Sequence, residues 1–200
     1  MKIYLLRHGE TIWNKEHRLQ GRQDIPLASE GREQILRAAK YLAGTFSGID
    51  HILTSPLFRA RESAEIVAKE LGYPCEDICQ VPLFLERDFG VGEGLTYQEA
   101  LVKYPDSDYP GMEPLDRLCE RAKEAIQWCE REYPHQTLLV VAHGAIMKAI
   151  LVALTNGRIT YFDENVWINN GCYFLLESKQ KQWNISIHNS ENDYAPLLLQ

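Results

Sequence analysis

The run Thr137-Leu138-Leu139-Val140-Val141-Ala142 is apolar at every position after the first. A strand with no wet face is the kind buried in a parallel sheet with helices on both sides, whereas a meander with one solvated face alternates. The run ends at His143-Gly144. These two residues are therefore expected at the carboxyl end of a buried strand, where open α/β sheets bind their ligands.

A second junction of the same kind opens the chain. Lys2-Ile3-Tyr4-Leu5-Leu6 is a short β-leaning run that gives way to Arg7-His8-Gly9-Glu10-Thr11, with Thr11 a suitable N-cap residue. A helix N-terminus offers free N–H groups and partial positive charge to an anion. Arg7 adds planar, permanently charged donors suited to phosphate, and Gly9 removes a Cβ from the path of a ligand. Phosphoryl chemistry is the expectation.

Between the two junctions strand and helix patterns alternate, which predicts an α/β fold. A helix from Ser29 to about Phe46 carries the stripe Ile35, Leu36, Ala39, Leu42 and Ala43; His51–Thr54 reads as a strand; Ser55-Pro56 opens a helix to about Leu71, putting Arg59 in its first turn. Cys75 to Leu85 reads as a third extended stretch delivering Glu86 to its end. From Phe89 to Leu115 glycines and prolines break the pattern around one short helix at Tyr97–Tyr104, as expected of a substrate-covering segment. Helices follow at Leu115–Tyr133 and about Ala145–Leu154, then strands near Gly171–Leu176 and Trp183–His188 with a turn at Lys179–Gln182. The apolar tail Leu197-Leu198-Leu199 is expected to pack on the domain or on another subunit, which leaves a homodimer open.

With 200 residues, 45% of them hydrophobic, the chain can build one core, and residues 1–200 are expected to form a single domain. A net charge of −7 argues against nucleic acid or an anionic membrane as partner, so a phosphate site must carry its own cations. The five cysteines include no C-x-x-C pair, and no secretory signal pattern leads the sequence, so a reduced, cytoplasmic protein is expected. No apolar run approaches the roughly 20 residues that span a membrane.

Arg7-His8-Gly9-Glu10-Thr11 with Asn14 and Gln20-Gly21-Arg22-Gln23-Asp24-Ile25-Pro26-Leu27, then Ser55-Pro56-Leu57-Phe58-Arg59-Ala60, Leu85-Glu86-Arg87-Asp88-Phe89-Gly90 and Val141-Ala142-His143-Gly144, occur in this order. Together they resemble the signature of the histidine phosphatase superfamily, the phosphoglycerate-mutase-like fold. The resemblance implies a three-layer α/β/α sandwich on a mostly parallel sheet. It implies His8 as a nucleophile that forms a phosphohistidine, Glu86 as proton donor, and Arg7, Asn14, Arg59, His143 and Gly144 as phosphate contacts, with Gln20 and Gly21 toward substrate. No cofactor and no metal is implied: the arginines supply the charge a metal would, and no H-E-x-x-H spacing occurs. His17, His51, His135 and His188 lack any motif and are expected to be structural.

Three functions fit. One is a metal-independent phosphatase acting on a small phosphorylated metabolite through the phosphohistidine; the second is a cofactor-dependent phosphoglycerate mutase; the third is a non-catalytic phospho-ligand binding protein. Against the mutase, the segment from Phe89 to Leu115 is short and contains no arginine, whereas the mutases carry an insertion with paired arginines there. Against mere binding, His8 and Glu86 occur together. The sequence departs from the phosphatase pattern Gly-Gly-Glu-Ser at Gly111-Met112-Glu113-Pro114, which leaves the substrate open.

Overall fold

The computed structural model of the chain describes residues 1–45, 48–155, 158–163, 166, 168–179, 182–188 and 197–199. Its strands are β1 (Lys2–Arg7), β2 (His51–Thr54), β3 (Cys79–Gln80), β4 (Thr137–Ala142), β5 (Tyr173–Lys179), β6 (Gln182–His188) and β7 (Leu197–Leu199), joined in one sheet of order β3-β2-β4-β1-β5-β6-β7. β1 to β4 are mutually parallel, and β5, β6 and β7 continue from β1 as an antiparallel meander. The apolar tail thus joins this sheet as its edge strand.

The sheet separates two apolar layers. Alternate residues of β1 and β4 show why: Ile3, Leu5, Leu138, Val140 and Ala142 face one cluster, and Tyr4, Leu6, Leu139 and Val141 the other. The first cluster is closed by α5 (Leu115–Glu132) and α6 (Gly144–Leu154), the second by α2 (Ser29–Thr45) and α3 (Phe58–Leu71). This is the expected three-layer α/β/α sandwich, and β4 needs no polar residue because both its faces are covered. The remaining helices, α1 (Ile12–Lys15) and α4 (Tyr97–Lys103), are short, and each is held by a capping box, Thr11 with Asn14 and Thr96 with Glu99.

Two expectations need correction. The extended stretch from Cys75 to Leu85 shrinks to β3 alone, flanked by single 3-10 turns at Cys75–Asp77 and Pro82–Phe84. Pro82 is the physical reason on one side, since it has no N–H for a sheet ladder and its fixed φ suits the first position of a turn. The helix after Ser55-Pro56 starts at Phe58, two residues later than expected, and Arg59 still lies in its first turn. The expected helix end at Phe46 and the middle of the turn between β5 and β6, 180–181, lie outside the described residues.

What positions the site is the register of the central strands. Leu6 pairs with Val141 and Arg7 with Ala142, while Thr54 pairs with Val141 on the other side of β4. The amide of His8 donates to the carbonyl of Ala142 at 3.0 Å and that of Ser55 to Val141 at 3.0 Å. Three strands therefore finish at one level, with His8, Ser55 and His143 just past their ends. Leu5 and Leu6 are fully buried immediately before that level. Leu5→Ala is expected to lower the unfolding free energy by about 3 kcal/mol, from lost burial plus a cavity that close packing cannot refill. Urea denaturation measures it, and a loss under about 1 kcal/mol would mean that the layer collapses around the gap.

Candidate active site

His8 is 2% exposed, and its two ring nitrogens have different partners. Nδ1 lies 2.7 Å from the carbonyl oxygen of Gly9, which can only accept, so the ring proton sits on Nδ1. Nε2 is then the unprotonated nitrogen, and it accepts from Nε of Arg59 at 3.2 Å. Asn170 donates to the His8 carbonyl at 3.0 Å and fixes the backbone there. Burial first, then the Arg59 and Arg7 guanidiniums, hold the His8 ring well below the usual histidine range, outweighing the Gly9 carbonyl.

His143, 5.0 Å from His8 between ring centroids, is fully buried at the N-terminus of α6. Its Nε2 lies 2.7 Å from Oγ of Ser55, and its Nδ1 has no hydrogen-bond partner among the described residues. The Ser55 hydroxyl already accepts from the amide of Leu57. If it donates to Nε2, the His143 proton is on Nδ1, the nitrogen without a partner. Burial, and after it the Arg59 charge, keeps this histidine neutral too.

Arg7 donates through Nη1 to the carbonyl of Ile168, and its buried Nε is likewise without a partner among the described residues. Arg59 is 1% exposed and uses three donors on the protein: Nε to His8, Nη1 to the Gln23 carbonyl at 2.7 Å and Nη2 to the Gly21 carbonyl at 2.8 Å. A guanidinium has five N–H groups, so two remain. Burial pushes its pKa down to about 10, against the opposing pull of Glu86, and it stays charged at neutral pH.

Glu86 ends the stretch after β3 and points its carboxylate at the first turn of α6. Oε1 accepts from the amides of Arg87 at 2.9 Å, Ala145 at 3.1 Å and Ile146 at 3.2 Å. A carboxylate at a helix N-terminus meets both free donors and the positive end of the helix dipole. Glu86, His8, Arg7, Arg59, Asn14, Gln20, Gly21 and Gly144 line one cavity of about 170 Å³. The structure thus brings eight of the nine expected site residues to its wall, and the His143 ring lies next to that of His8, tilted 59° to it.

Some of these residues hold the site in ways the motifs alone do not disclose. Asn14 spends its carbonyl on the Thr11 amide at 3.1 Å. Gln20 lies 2.9 Å from the Thr11 hydroxyl. Gly21, at φ +51°, leaves space for Glu93, whose Oε1 would stand 1.8 Å from a Cβ placed there. Glu93 takes the amides of Arg22 and Phe89 and the Gln23 side chain, tying the 20–23 loop to the start of the 89–115 segment. Gly9 needs a different account from the one its motif suggests. Its amide donates to Ser63, and a Cβ would lie 2.3 Å from the Gly31 carbonyl, so the glycine serves packing against α2.

Sequence reasoning missed Ser55 as a partner of His143, Asn170 in the turn before β5, and Arg121. Arg121 grips Glu113 with two N–H bonds of 2.8 and 2.7 Å and donates to the carbonyls of Leu83, Leu85 and Glu86. It fixes the backbone that carries Glu86. Its one signal in sequence is an arginine on the apolar stripe of α5, two turns after Glu113.

A family model described as the histidine phosphatase superfamily (branch 1) matches residues 3–191. The chain is similar to a protein of Bacillus subtilis named "Uncharacterized phosphatase PhoE", at 36% identity over 94% of this chain and 93% of that one. It is also 34% identical to a Klebsiella pneumoniae protein named "Probable phosphoglycerate mutase GpmB", over 92% of this chain and 87% of the relative. Among solved structures, Bacillus stearothermophilus YhfR superposes with a TM-score of 0.85 at 28% identity, covering 96% of this chain and 98% of that one.

Two outcomes test this geometry. Arg121→Met removes one member of a buried pair, with side chains 15% and 11% exposed, and is expected to cost about 3 kcal/mol in stability by denaturant titration; a loss of a few tenths would show Glu113 rehydrated. The second concerns pH. His8 and His143 are neutral when folded, whereas in the unfolded chain they take up protons below the ordinary value of 6.5. The unfolded state then binds more protons, so this contribution is flat above pH 6.5 and falls below it. Between pH 6 and 5, His8→Asn should flatten the stability slope by about 1.4 kcal/mol per pH unit; equal slopes would mean that His8 is charged in the fold.

Proposed function

The chain belongs to the histidine phosphatase superfamily, and from that membership we propose that it is a metal-independent phosphatase that hydrolyses a small phosphomonoester through a phosphohistidine on His8. The observation that carries the reading is that two buried nitrogens of this site, Arg7 Nε and His143 Nδ1, lack partners among the described residues, while Nε2 of His8 is unprotonated and the two imidazole centroids are 5.0 Å apart; with Ser55 donating to His143 Nε2, both unpartnered nitrogens carry protons. An unpaired buried N–H costs on the order of 1–3 kcal/mol. A phosphoryl group, with oxygens disposed around one atom, answers both donors and the two spare N–H groups of Arg59 while its phosphorus faces a nucleophile.

In this reading the Nε2 lone pair attacks phosphorus, the ester P–O bond breaks, and Glu86 gives its proton to the departing oxygen. Water then attacks the phosphohistidine, its proton passes to the Glu86 carboxylate, and the P–N bond breaks to return His8. Arg7 and Arg59 neutralise charge on the equatorial oxygens in both steps, and the neutral His143 donates a hydrogen bond to one of them. The Gly9 carbonyl stabilises the imidazole as it gains charge, holding the proton on Nδ1 throughout.

Relatives named as mutases keep the isomerase reading in view. Phosphatase is favoured because a mutase must hold its substrate's carboxylate and keep water from the phosphoenzyme. The covering segment Phe89–Leu115 offers no arginine for that purpose.

Phosphate release from p-nitrophenyl phosphate in EDTA is expected for the wild type and should fall at least about a thousandfold in His8→Ala, as when a covalent nucleophile is lost. Because the His8 ring is held well below 6.5, kcat/KM should not decline between pH 7 and 6. Interconversion of 2- and 3-phosphoglycerate without net hydrolysis would transfer the case to the mutase, and release that survives His8→Ala would remove the phosphohistidine.

A further inference from the structure

The His8 ring takes its orientation from the Gly9 carbonyl, 2.7 Å from Nδ1, and a glycine has little of its own to fix its backbone. The peptide that joins His8 to Gly9 is a rigid plane, and it is pinned at both edges. Its N–H donates to Oγ of Ser63 at 3.2 Å, and that hydroxyl donates in turn to the Arg59 carbonyl at 2.7 Å. Its C=O accepts from Nδ2 of Asn170 at 3.0 Å and from the amide of Gly171 at 3.3 Å.

Asn170 and Gly171 form the turn that leads into β5. The Gly171 amide also donates to the Arg7 carbonyl at 3.1 Å, and the Cys172 carbonyl accepts from the Arg7 amide at 2.9 Å, so the turn extends the β1–β5 ladder up to His8. Gly171, at φ +72°, holds the left-handed conformation that a side chain disfavours. The turn it allows sets an amide and a side chain on one carbonyl.

Asn170 has a second oxygen within reach. Its Nδ2 lies 3.4 Å from Oδ1 of Asn14. The His8 carbonyl can only accept, so the Asn170 amide is turned with its NH2 toward both oxygens. Oδ1 of Asn14 also accepts from the Thr11 amide at 3.1 Å. The Asn14 carbonyl is therefore committed, and its NH2 is the group left for the cavity it lines with His8. One half-buried side chain thus bridges the backbone of the nucleophile and the oxygen of a phosphate contact. A carboxylate in its place would set an oxygen against each of those two oxygens.

We infer that Asn170 is a positioning residue of the phosphatase proposed above: its NH2 holds the His8 peptide, and through it the ring that attacks phosphorus, and keeps the Asn14 NH2 turned to the phosphoryl oxygens. Asn170→Ala removes both donors without adding charge, and Asn170→Asp keeps the shape but replaces the NH2 by an acceptor. With p-nitrophenyl phosphate in EDTA, kcat is expected to fall about tenfold in Asn170→Ala and on the order of a hundredfold in Asn170→Asp, the scale of a misplaced reacting group. KM of Asn170→Ala should stay within about twofold, because Arg7 and Arg59 keep their own backbone partners. The losses from Asn14→Ala and Asn170→Ala should be less than additive, and additivity would overturn the part given to Asn14. A merely structural role would lower the urea midpoint and leave kcat per folded molecule unchanged, which would overturn the inference. Heteronuclear NMR of histidine-labelled protein separates it from the phosphatase reading. The Nδ1 proton of His8 should exchange with solvent at least about tenfold faster in Asn170→Asp than in the wild type, as its local structure opens more readily. Equal exchange would overturn the positioning of His8, with or without turnover. A wild type that releases no phosphate, with the proton exchanging faster in the variant, would sink the phosphatase and keep Asn170 as the residue that orients His8.

Discussion

The parallel pairing of β1 with β4 is the constraint on which the rest depends. Arg7 stands opposite Ala142, so the residues that follow the two strands, His8 and His143, emerge side by side with ring centroids 5.0 Å apart. A slip of one residue would turn Leu5 and Leu6, or Val140 and Val141, to the wrong layers and separate the imidazoles at once. Register is secured by burial on both faces of the sheet, and the geometry of the site follows from the packing of its core.

Around that pair the charges are arranged by backbone groups more than by other side chains. Arg59 is fixed by the carbonyls of Gly21 and Gln23, Arg7 by that of Ile168, and Glu86 by three amides. Such partners do not titrate and move little, which is what a preorganised electrostatic site needs. The net charge of −7 makes this local arrangement the more necessary, since the protein's overall field repels an anionic ester.

The fold and the lining of the site were legible in sequence because each rests on a local signal. The unbroken apolar run of β4 announces a strand covered on both faces, and the Arg7–Thr11 stretch announces a strand followed by a helix cap. Residues whose roles depend on distant partners were not legible. Arg121 reads as a surface arginine of α5 until the chain folds and Leu83, Leu85 and Glu113 arrive beside it. Gly9 in its motif suggests ligand access, but only the packed α2 reveals the Gly31 carbonyl that excludes a side chain. The stretch around β3 suggests a longer strand than forms, because its apolar residues Val81 and Phe84 are buried from a turn as readily as from a strand.

β1 sits at the centre of the sheet, yet its two neighbours come from far along the chain: Lys2 pairs with Thr137 on one side and with Glu177 on the other. Such pairings close very long loops, and their entropy must be met before the strand contacts return anything. Until β4 and β5 have both docked, the segment bearing His8 has no sheet to belong to. Any activity of this protein is therefore a late event in its folding, and a chain whose last strands fail to dock leaves an apolar central strand open to the wrong partners.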